Sequence, residues 1–520
     1  MKLLLCEEMQ KVDKKAITVV GLPEMVLMEN AGRAVAEATE VALDGAAGKH
    51  IVIFVGKGNN GGDGLVAARL LDSQGAFVYV VTITGVKEIT GSAAQELKVL
   101  KSCKVPIFSW NQSRENLYRI FSLCAGADFF VDAMLGTGFK GELKGNYLKA
   151  AELIESLPVP VLAIDIPSGV EANTGKVGSV AIHAQVTVTM VAPKPGLYLY
   201  PGASYSGRVV VTNIGLPGNL LAAASNKYYL LEEDMIAGLL PSRPKNAHKG
   251  MNGRISLIAG SMGLTGAAAL CSEAAVRCGG GLVNLLTPKS AQNILATKLT
   301  EVMVKGLCEN AIGELDAASV KQAVLALEQA DVVAIGPGLG QSTQTQIFIR
   351  ELIKKIYIPV VLDADALNAL AGEVKLLENL PVKIITPHPG EMARLTGLSQ
   401  EEILAEPLKI AEIYAKKWQA VVVLKCTPTI IAIPDGRVFV NSTGNEGMAT
   451  GGAGDVLTGT IAALLGQGLS AENAALCGVY VHGAAGDIAA KKGAIGLKAG
   501  DIAACLPLAL QSILLAEAEV

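Results

Sequence analysis

Aromatic residues make up only 4% of this 520-residue chain, and no apolar run in it is long enough to span a bilayer. The nine cysteines are odd in number and include no Cys-x-x-Cys pair, and the five histidines do not fall at metal-ligand spacing. These absences argue against a disulfide framework and a zinc site, and they fit a reducing cytoplasm. No basic run breaks the sequence and the net charge is −4, which argues against nucleic acid or an acidic membrane as partner. The N-terminal Met1-Lys2-Leu3-Leu4-Leu5-Cys6-Glu7-Glu8 reaches acidic residues too soon for a signal peptide. The expectation is a soluble cytoplasmic protein with no membrane and no nucleic-acid partner.

What is abundant is small and aliphatic. Hydrophobic residues reach 51%, with Ala, Val, Ile, Leu and Gly leading, as in α/β folds whose parallel sheets are covered on both faces. The length predicts two or three domains. Two helices, near Glu7–Thr18 and Pro23–Val41, precede a β-α series with strands at His50–Gly56, Ala76–Ile83, Ala127–Val131, Val159–Asp165, Gln185–Met190 and Arg208–Thr212. Prolines, glycines and polar residues thicken between Leu216 and Gly250, which marks a boundary: a domain over 1–217, a linker over 218–247 and a second domain over 248–512. The second series places strands near 254–260, 282–286, 331–336, 359–363, 382–386 and 420–424, and then a hairpin about Pro434-Asp435-Gly436.

The densest chemical signal is Gly444-Asn445-Glu446-Gly447-Met448-Ala449-Thr450-Gly451-Gly452-Ala453-Gly454-Asp455, followed by an apolar helix. Glycines let main-chain N–H groups approach a phosphate, and a helix start adds partial positive charge. Asp455 ends that cradle, where it can take a proton from a hydroxyl during phosphoryl transfer. Other strand ends carry comparable groups. Gly56-Lys57-Gly58-Asn59-Asn60-Gly61-Gly62-Asp63-Gly64 reads as an amide nest without a Walker lysine. Asp132 precedes Gly136-Thr137-Gly138-Phe139-Lys140-Gly141-Glu142, and Asp165 precedes Ser168 and Gly169. Asn60, Asp132 and Ser168 offer oxygens for a hard cation, and Asp165 is the best acid/base among them. In the second half, Ala267 follows a small-residue turn and Gly338 lies in Gly336-Pro337-Gly338-Leu339-Gly340. Asp363 and Asp365 either cap the next helix or hold a nucleotide's metal. His388 is fixed between Pro387 and Pro389, which suits ligand contact. Lys425-Cys426-Thr427-Pro428-Thr429 suits an adenine-nucleotide phosphate or ribose.

The first set of motifs, with Met28–Gly32, resembles the YjeF N-terminal family of NAD(P)H-hydrate epimerases over about the first 215 residues. That resemblance implies a Rossmann-like fold and a K+ ion at Asn60, Asp132 and Ser168. It implies substrate contacts from Asn59, Asn60, Gly61, Gly62, Asp63, the Gly136–Glu142 loop, Tyr147 and Asp165, with Asp165 moving the proton. The second set, from His248 to Leu508, resembles the YjeF C-terminal family, which is ribokinase-like and dehydrates (S)-NAD(P)H hydrate with ADP or ATP. It implies hydrate contacts from Ala267, Gly338, His388 and Asp455. It further implies nucleotide contacts from Lys425, Cys426, Thr427, Pro428, Thr429 and Gly454, with Mg2+ travelling with the nucleotide. Cys426 stands where that family usually has glycine, and Ala453 where threonine is common. A homo-oligomer is expected. The rival reading is a ribokinase-like small-molecule kinase carrying an N-terminal ligand-binding module.

Overall fold

The computed structural model describes residues 1–110, 114–222 and 227–518. Of the expected linker, residues 223–226 lie outside the described residues. The chain divides into two compact units, Met1–Tyr228 and Tyr229–Val520. Among the described residues, no helix is long and apolar enough to cross a membrane.

The first unit is built on a seven-stranded sheet: β1 (His50–Val55), β2 (Phe77–Thr82), β3 (Ile107–Ser109), β4 (Phe129–Ala133), β5 (Val161–Ile164), β6 (Val186–Met190) and β7 (Arg208–Thr212). Their order is β3-β2-β1-β4-β5-β6-β7, and every neighbouring pair is parallel. The central strands read as unbroken apolar runs because helices cover both faces; Ile51, Ile53, Val131 and Leu162 are fully buried. The strand order reverses between β1 and β4, so a crevice opens beyond their carboxyl ends. Helices α1 (Cys6–Lys15), α2 (Glu24–Leu43) and α3 (Asn59–Ser73) belong to this unit.

The Asn59–Gly64 stretch is the opening of α3, which starts at Asn59. A Cβ on Gly61 would stand 2.2 Å from the Gly56 carbonyl oxygen, and one on Gly62 would stand 2.5 Å from Met28 Cε. Close packing therefore accounts for these two glycines.

The second unit is built on β8 (Arg254–Ile258), β9 (Leu282–Pro288), β10 (Met303–Leu307), β11 (Val332–Ile335), β12 (Val360–Leu362), β13 (Lys383–Ile385), β14 (Val421–Leu424), β15 (Ile430–Ala432) and β16 (Val438–Val440), with the short strand Tyr228–Leu230 beside β16. They run in the order β16-β15-β14-β13-β12-β11-β8-β9-β10, parallel from β14 to β10 and antiparallel through the β14-β15-β16 meander. This sheet reverses between β8 and β11. Helices α4 (Thr265–Arg277), α5 (Ala364–Ala369), α6 (Pro389–Thr396), α7 (Ala453–Gly466) and α8 (Ala471–Ala490) pack around it. α7 is almost wholly apolar past its first turn, with Val456 through Leu465 buried. Its polar opening turn is thereby held at the strand ends. Strands β3 and β10 had no counterpart in the sequence reading; β3 has three residues and β10 carries lysine and glycine, so neither shows an apolar run.

Candidate functional site

In the first unit a cavity of about 790 Å³ lies at the β1/β4 reversal. Asn59, Asn60, Asp63, Gly136, Thr137, Gly138, Phe139, Lys140, Glu142, Tyr147 and Asp165 line it. Gly61, Gly62 and Gly141 do not; the Gly141 amide donates to Glu171 Oε1 at 2.9 Å instead. Tyr147 is hydrogen-bonded to the Lys57 backbone, and burial raises its pKa.

Asp165 leaves β5 in the left-handed region, at φ 66°, a strained setting of the kind that persists at functional positions. Its Oδ1 accepts the Thr189 hydroxyl at 3.0 Å and forms an ion pair with Lys194. The lysine is 1% exposed and also donates to Thr189 Oγ1 at 3.0 Å. Sequence reasoning missed Lys194 and Asp13, which share the cavity. The signal for Lys194 was the Pro193-Lys194-Pro195-Gly196 turn just beyond β6, the same pattern that drew attention to His388. Asp13 gave none, because an aspartate on an amphipathic helix reads as solvent-facing. Burial pushes Asp13 up to about 6 and lifts Asp63 well above the usual carboxylate range, with Asp165 adding to both.

Asp132 and Ser168 sit beneath this cavity's loops rather than in its lining. Asp132 is fully buried. Its Oδ1 accepts Ser168 Oγ at 2.7 Å and the Met134 amide at 3.1 Å; Oδ2 accepts the Ser168 amide at 2.7 Å. Burial raises its pKa to about 6. Asn60 donates to the Leu135 carbonyl at 3.0 Å, and that oxygen lies 3.4 Å from Ser168 Oγ. The Asn60 amide nitrogen, the Leu135 carbonyl and the Ser168 hydroxyl are thus linked to one acid that has no cationic side chain paired with it among the described residues.

The second unit gathers its groups at the β8/β11 reversal. The Gly260 amide donates to the Pro337 carbonyl at 2.8 Å, and Ser261 Oγ donates to the Gly338 carbonyl at 2.9 Å, which locks the two turns together. Gly338 has φ 62°, and a Cβ there would stand 2.9 Å from Ala267 Cβ. The two small residues therefore form one floor.

Beside that floor is a charge cluster. Lys425 Nζ lies 2.5 Å from Asp363 Oδ1 and 3.7 Å from Glu391 Oε2. Thr458, one turn into α7, donates to Asp363 Oδ2 at 2.7 Å. Asp363 occupies the N-cap position of α5 without a side-chain cap bond, so its carboxylate serves the cluster. Asp365 accepts the Gly340 amide at 3.0 Å and Gln341 Nε2 at 3.0 Å. Asp455 lies on the first turn of α7, where burial and the nearby Asp363 push it up to about 7 although Lys425 pulls the other way. The amides of Gly451, Gly452, Gly454 and Asp455 have no protein acceptor among the described residues. A Cβ on Gly454 would stand 3.4 Å from Lys425 Nζ, so lysine and glycine turn share one corner.

His388 is the N-cap of α6, and its Nδ1 accepts the Gly390 and Glu391 amides at 3.0 and 3.3 Å. Its ring is half exposed, and burial lowers its pKa with help from Lys425. Past β14, Thr427 is exposed, while the Cys426 thiol points at the Pro428 carbonyl, 3.1 Å away, and is pushed up to about 12 by burial. Thr429 Oγ1 bonds the Cys426 carbonyl at 3.4 Å.

Comparison with known proteins settles the family. The family described as YjeF-related protein N-terminus matches residues 24–196, and the NAD(P)H-hydrate dehydratase family matches residues 255–508. The bifunctional NAD(P)H-hydrate repair enzyme Nnr of Moorella thermoacetica is 43% identical over 517 residues, covering 99% of this chain and 97% of that one. The chain belongs to the bifunctional NAD(P)H-hydrate repair enzymes. The Escherichia coli member is 35% identical over 95% of this chain and 91% of its own length. Among solved structures, an ADP/ATP-dependent NAD(P)H-hydrate dehydratase from Bacillus subtilis, crystallised with ATP and Mg2+, aligns with a TM-score of 0.49 and 32% identity, covering 55% of this chain and 98% of that one. The two family matches and the full-length relatives show both halves of this repair-enzyme family in one polypeptide.

Proposed function

We propose that the first unit interconverts the R and S forms of NAD(P)H hydrate in the 790 Å³ cavity, and that the second unit returns the S form to NAD(P)H at Asp455 with ADP or ATP. The hydrate carries a hydroxyl at C6 of its reduced nicotinamide ring, and hydroxide is a poor leaving group. Asp455 takes the hydroxyl proton as the oxygen attacks the terminal phosphoryl group. Phosphate then departs with electron donation from the ring nitrogen, and loss of a proton from C5 to solvent restores the ring double bond. The uncommitted amides of Gly451, Gly452 and Gly454 receive the charge on the transferred group. Ala267, Gly338 and His388 bound the hydrate, and Lys425 through Thr429 bound the nucleotide. The observation that carries this reading is a carboxyl poised near 7 at the mouth of a turn with free amides.

A bound Mg2+ supplies charge neutralisation on the nucleotide phosphates. Asp363 is already paired with the Lys425 ammonium, whereas Asp365 accepts only from uncharged donors among the described residues, so Asp365 is the carboxylate better placed to meet the metal. In the first unit Asn60, Asp132 and Ser168 fit K+, because a fully buried carboxylate there lacks a cationic partner among the described residues. Such an ion supplies that positive charge and fixes the loop that carries Gly136. Asp165, paired with Lys194, moves the proton during epimerisation.

The test is to incubate the protein with mixed hydrate epimers and either nucleotide while following reduced-cofactor absorbance. Full recovery supports both activities. Recovery of the S fraction alone removes the epimerase reading, and a stable phosphoester without recovery favours the kinase alternative.

A further inference from the structure

The epimerase cavity holds more acid than its proposed role for Asp165 uses. Asp13, Asp63 and Asp165 all line it, with a single buried ammonium, Lys194, among them. Lys194 is committed to Asp165 and Thr189. Asp13 projects from α1 into the cavity wall, half buried, and accepts no hydrogen bond from the described residues. Desolvation in this acid-rich pocket holds Asp13 near 6, with Asp165 raising it and Lys194 lowering it. The charged lining is completed by Glu24, Lys57, Lys140, Glu142 and Lys144.

Inversion at C6 without an outside reagent asks for two groups. One gives a proton to the departing hydroxyl and the other takes one from the entering water. We propose that Asp13 is the proton donor of the epimerase cavity, paired across the substrate with the Lys194-bound Asp165. This rests on the epimerase reading given above. In the step, the C6–O bond breaks as the oxygen takes the Asp13 proton and leaves as water, while the ring-nitrogen electron pair forms a C6=N bond. Water then adds to the other face of C6, the C=N pair returns to nitrogen, and the water's proton passes to Asp165. Atoms and charge balance, and proton exchange with solvent restores both carboxyls. Asp63 belongs to the helix start that packs against α2 and is the more deeply desolvated acid, which leaves Asp13 as the one open to exchange.

The experiment measures epimerisation of a single hydrate epimer against pH in the full-length wild-type protein and in Asp13→Asn, Asp13→Glu and Asp63→Asn. The wild-type rate falls as pH rises past about 6 because the donor loses its proton. Asp13→Asn should lower the rate on the order of 100-fold and abolish that alkaline fall; Asp13→Glu should restore part of both. The ADP-dependent dehydration of the S epimer, measured on the same samples, should stay unchanged and shows that the variants are folded. A slowed Asp13→Asn enzyme that keeps the wild-type alkaline fall would assign Asp13 a structural role and overturn the proposal. So would an unaltered rate, or an alkaline fall removed by Asp63→Asn in its place. Failure of the wild-type protein to epimerise at all would instead strike the underlying reading.

Discussion

Lys425 Nζ lies 2.5 Å from Asp363 Oδ1 and, on its other side, against the position a Gly454 side chain would fill. The ammonium beside the glycine turn is therefore already balanced by a carboxylate that is 2% exposed. Lys425→Met would strand Asp363, which keeps only the Thr458 hydroxyl, and should destabilise the second unit by about 3–5 kcal/mol. It also removes the positive charge that holds Asp455 down. The pH midpoint of any remaining dehydration should move up. Thermal unfolding and a pH–rate profile measure the two effects separately.

Asp455 should set the pH dependence of dehydration. A base with its pKa near 7 is mostly protonated at pH 6 and mostly ionised at pH 8, so the rate should rise with pH through about 7. Asp455→Asn should lower the rate by at least about 10²-fold and flatten this rise.

The same substitution should stabilise the fold. In the native protein the carboxyl ionises near 7 against an ordinary aspartate value of 3.8. Between those values the unfolded chain releases a proton that the folded one keeps, so stability falls as pH rises from about 4 to about 7. Asp455→Asn removes that penalty. It should raise stability at pH 8 by on the order of 1–2 kcal/mol and change little below pH 4. Denaturant melts at the two pH values check the difference, and equal effects at both would contradict it.

Lys194→Met should abolish most epimerisation, on the order of 10²-fold or more, by leaving Asp165 without its counter-charge. Dehydration of pure S hydrate should persist. A mixed-epimer assay then stalls at the S fraction and resumes when wild-type first-unit activity is added.

Gly338→Ala sets a methyl group 2.9 Å from both Ala267 Cβ and the Leu264 carbonyl, at a φ of 62°. Strain of this kind costs about 1–3 kcal/mol, and it raises the floor on which the hydrate would rest. An increased KM for the hydrate, with a lowered melting temperature, is the expected result.

Much of this molecule was legible because its strands are short apolar runs closed by glycine or aspartate. β1, β4 and β5 could be read directly, and with them Asp132 and Asp165. The glycine turn before α7 was equally plain, since an apolar helix so seldom follows that many glycines without cause. Asn59–Gly64 serves two demands that sequence does not separate, because glycines that let α3 pack tightly look the same as glycines that bind an anion. Lys194 and Asp13 were hidden for another reason. The prolines flanking Lys194 marked a turn but not that its ammonium would meet Asp165, and Asp13 on its helix carried no mark of where it would be buried. The double duty of His388, held by prolines and spent on capping α6, likewise needed the ring's orientation.

That orientation has a final consequence. Because Nδ1 of His388 is taken up by the amides that begin α6, acidifying the solution cannot charge the ring without loosening the helix start. With the neighbouring ammonium satisfied as well, a polyphosphate would meet mainly peptide dipoles at this end of the sheet. Grip of that sort does not call on the charge of the imidazole, which suits a catalyst that must let a spent, highly charged product go after every turnover.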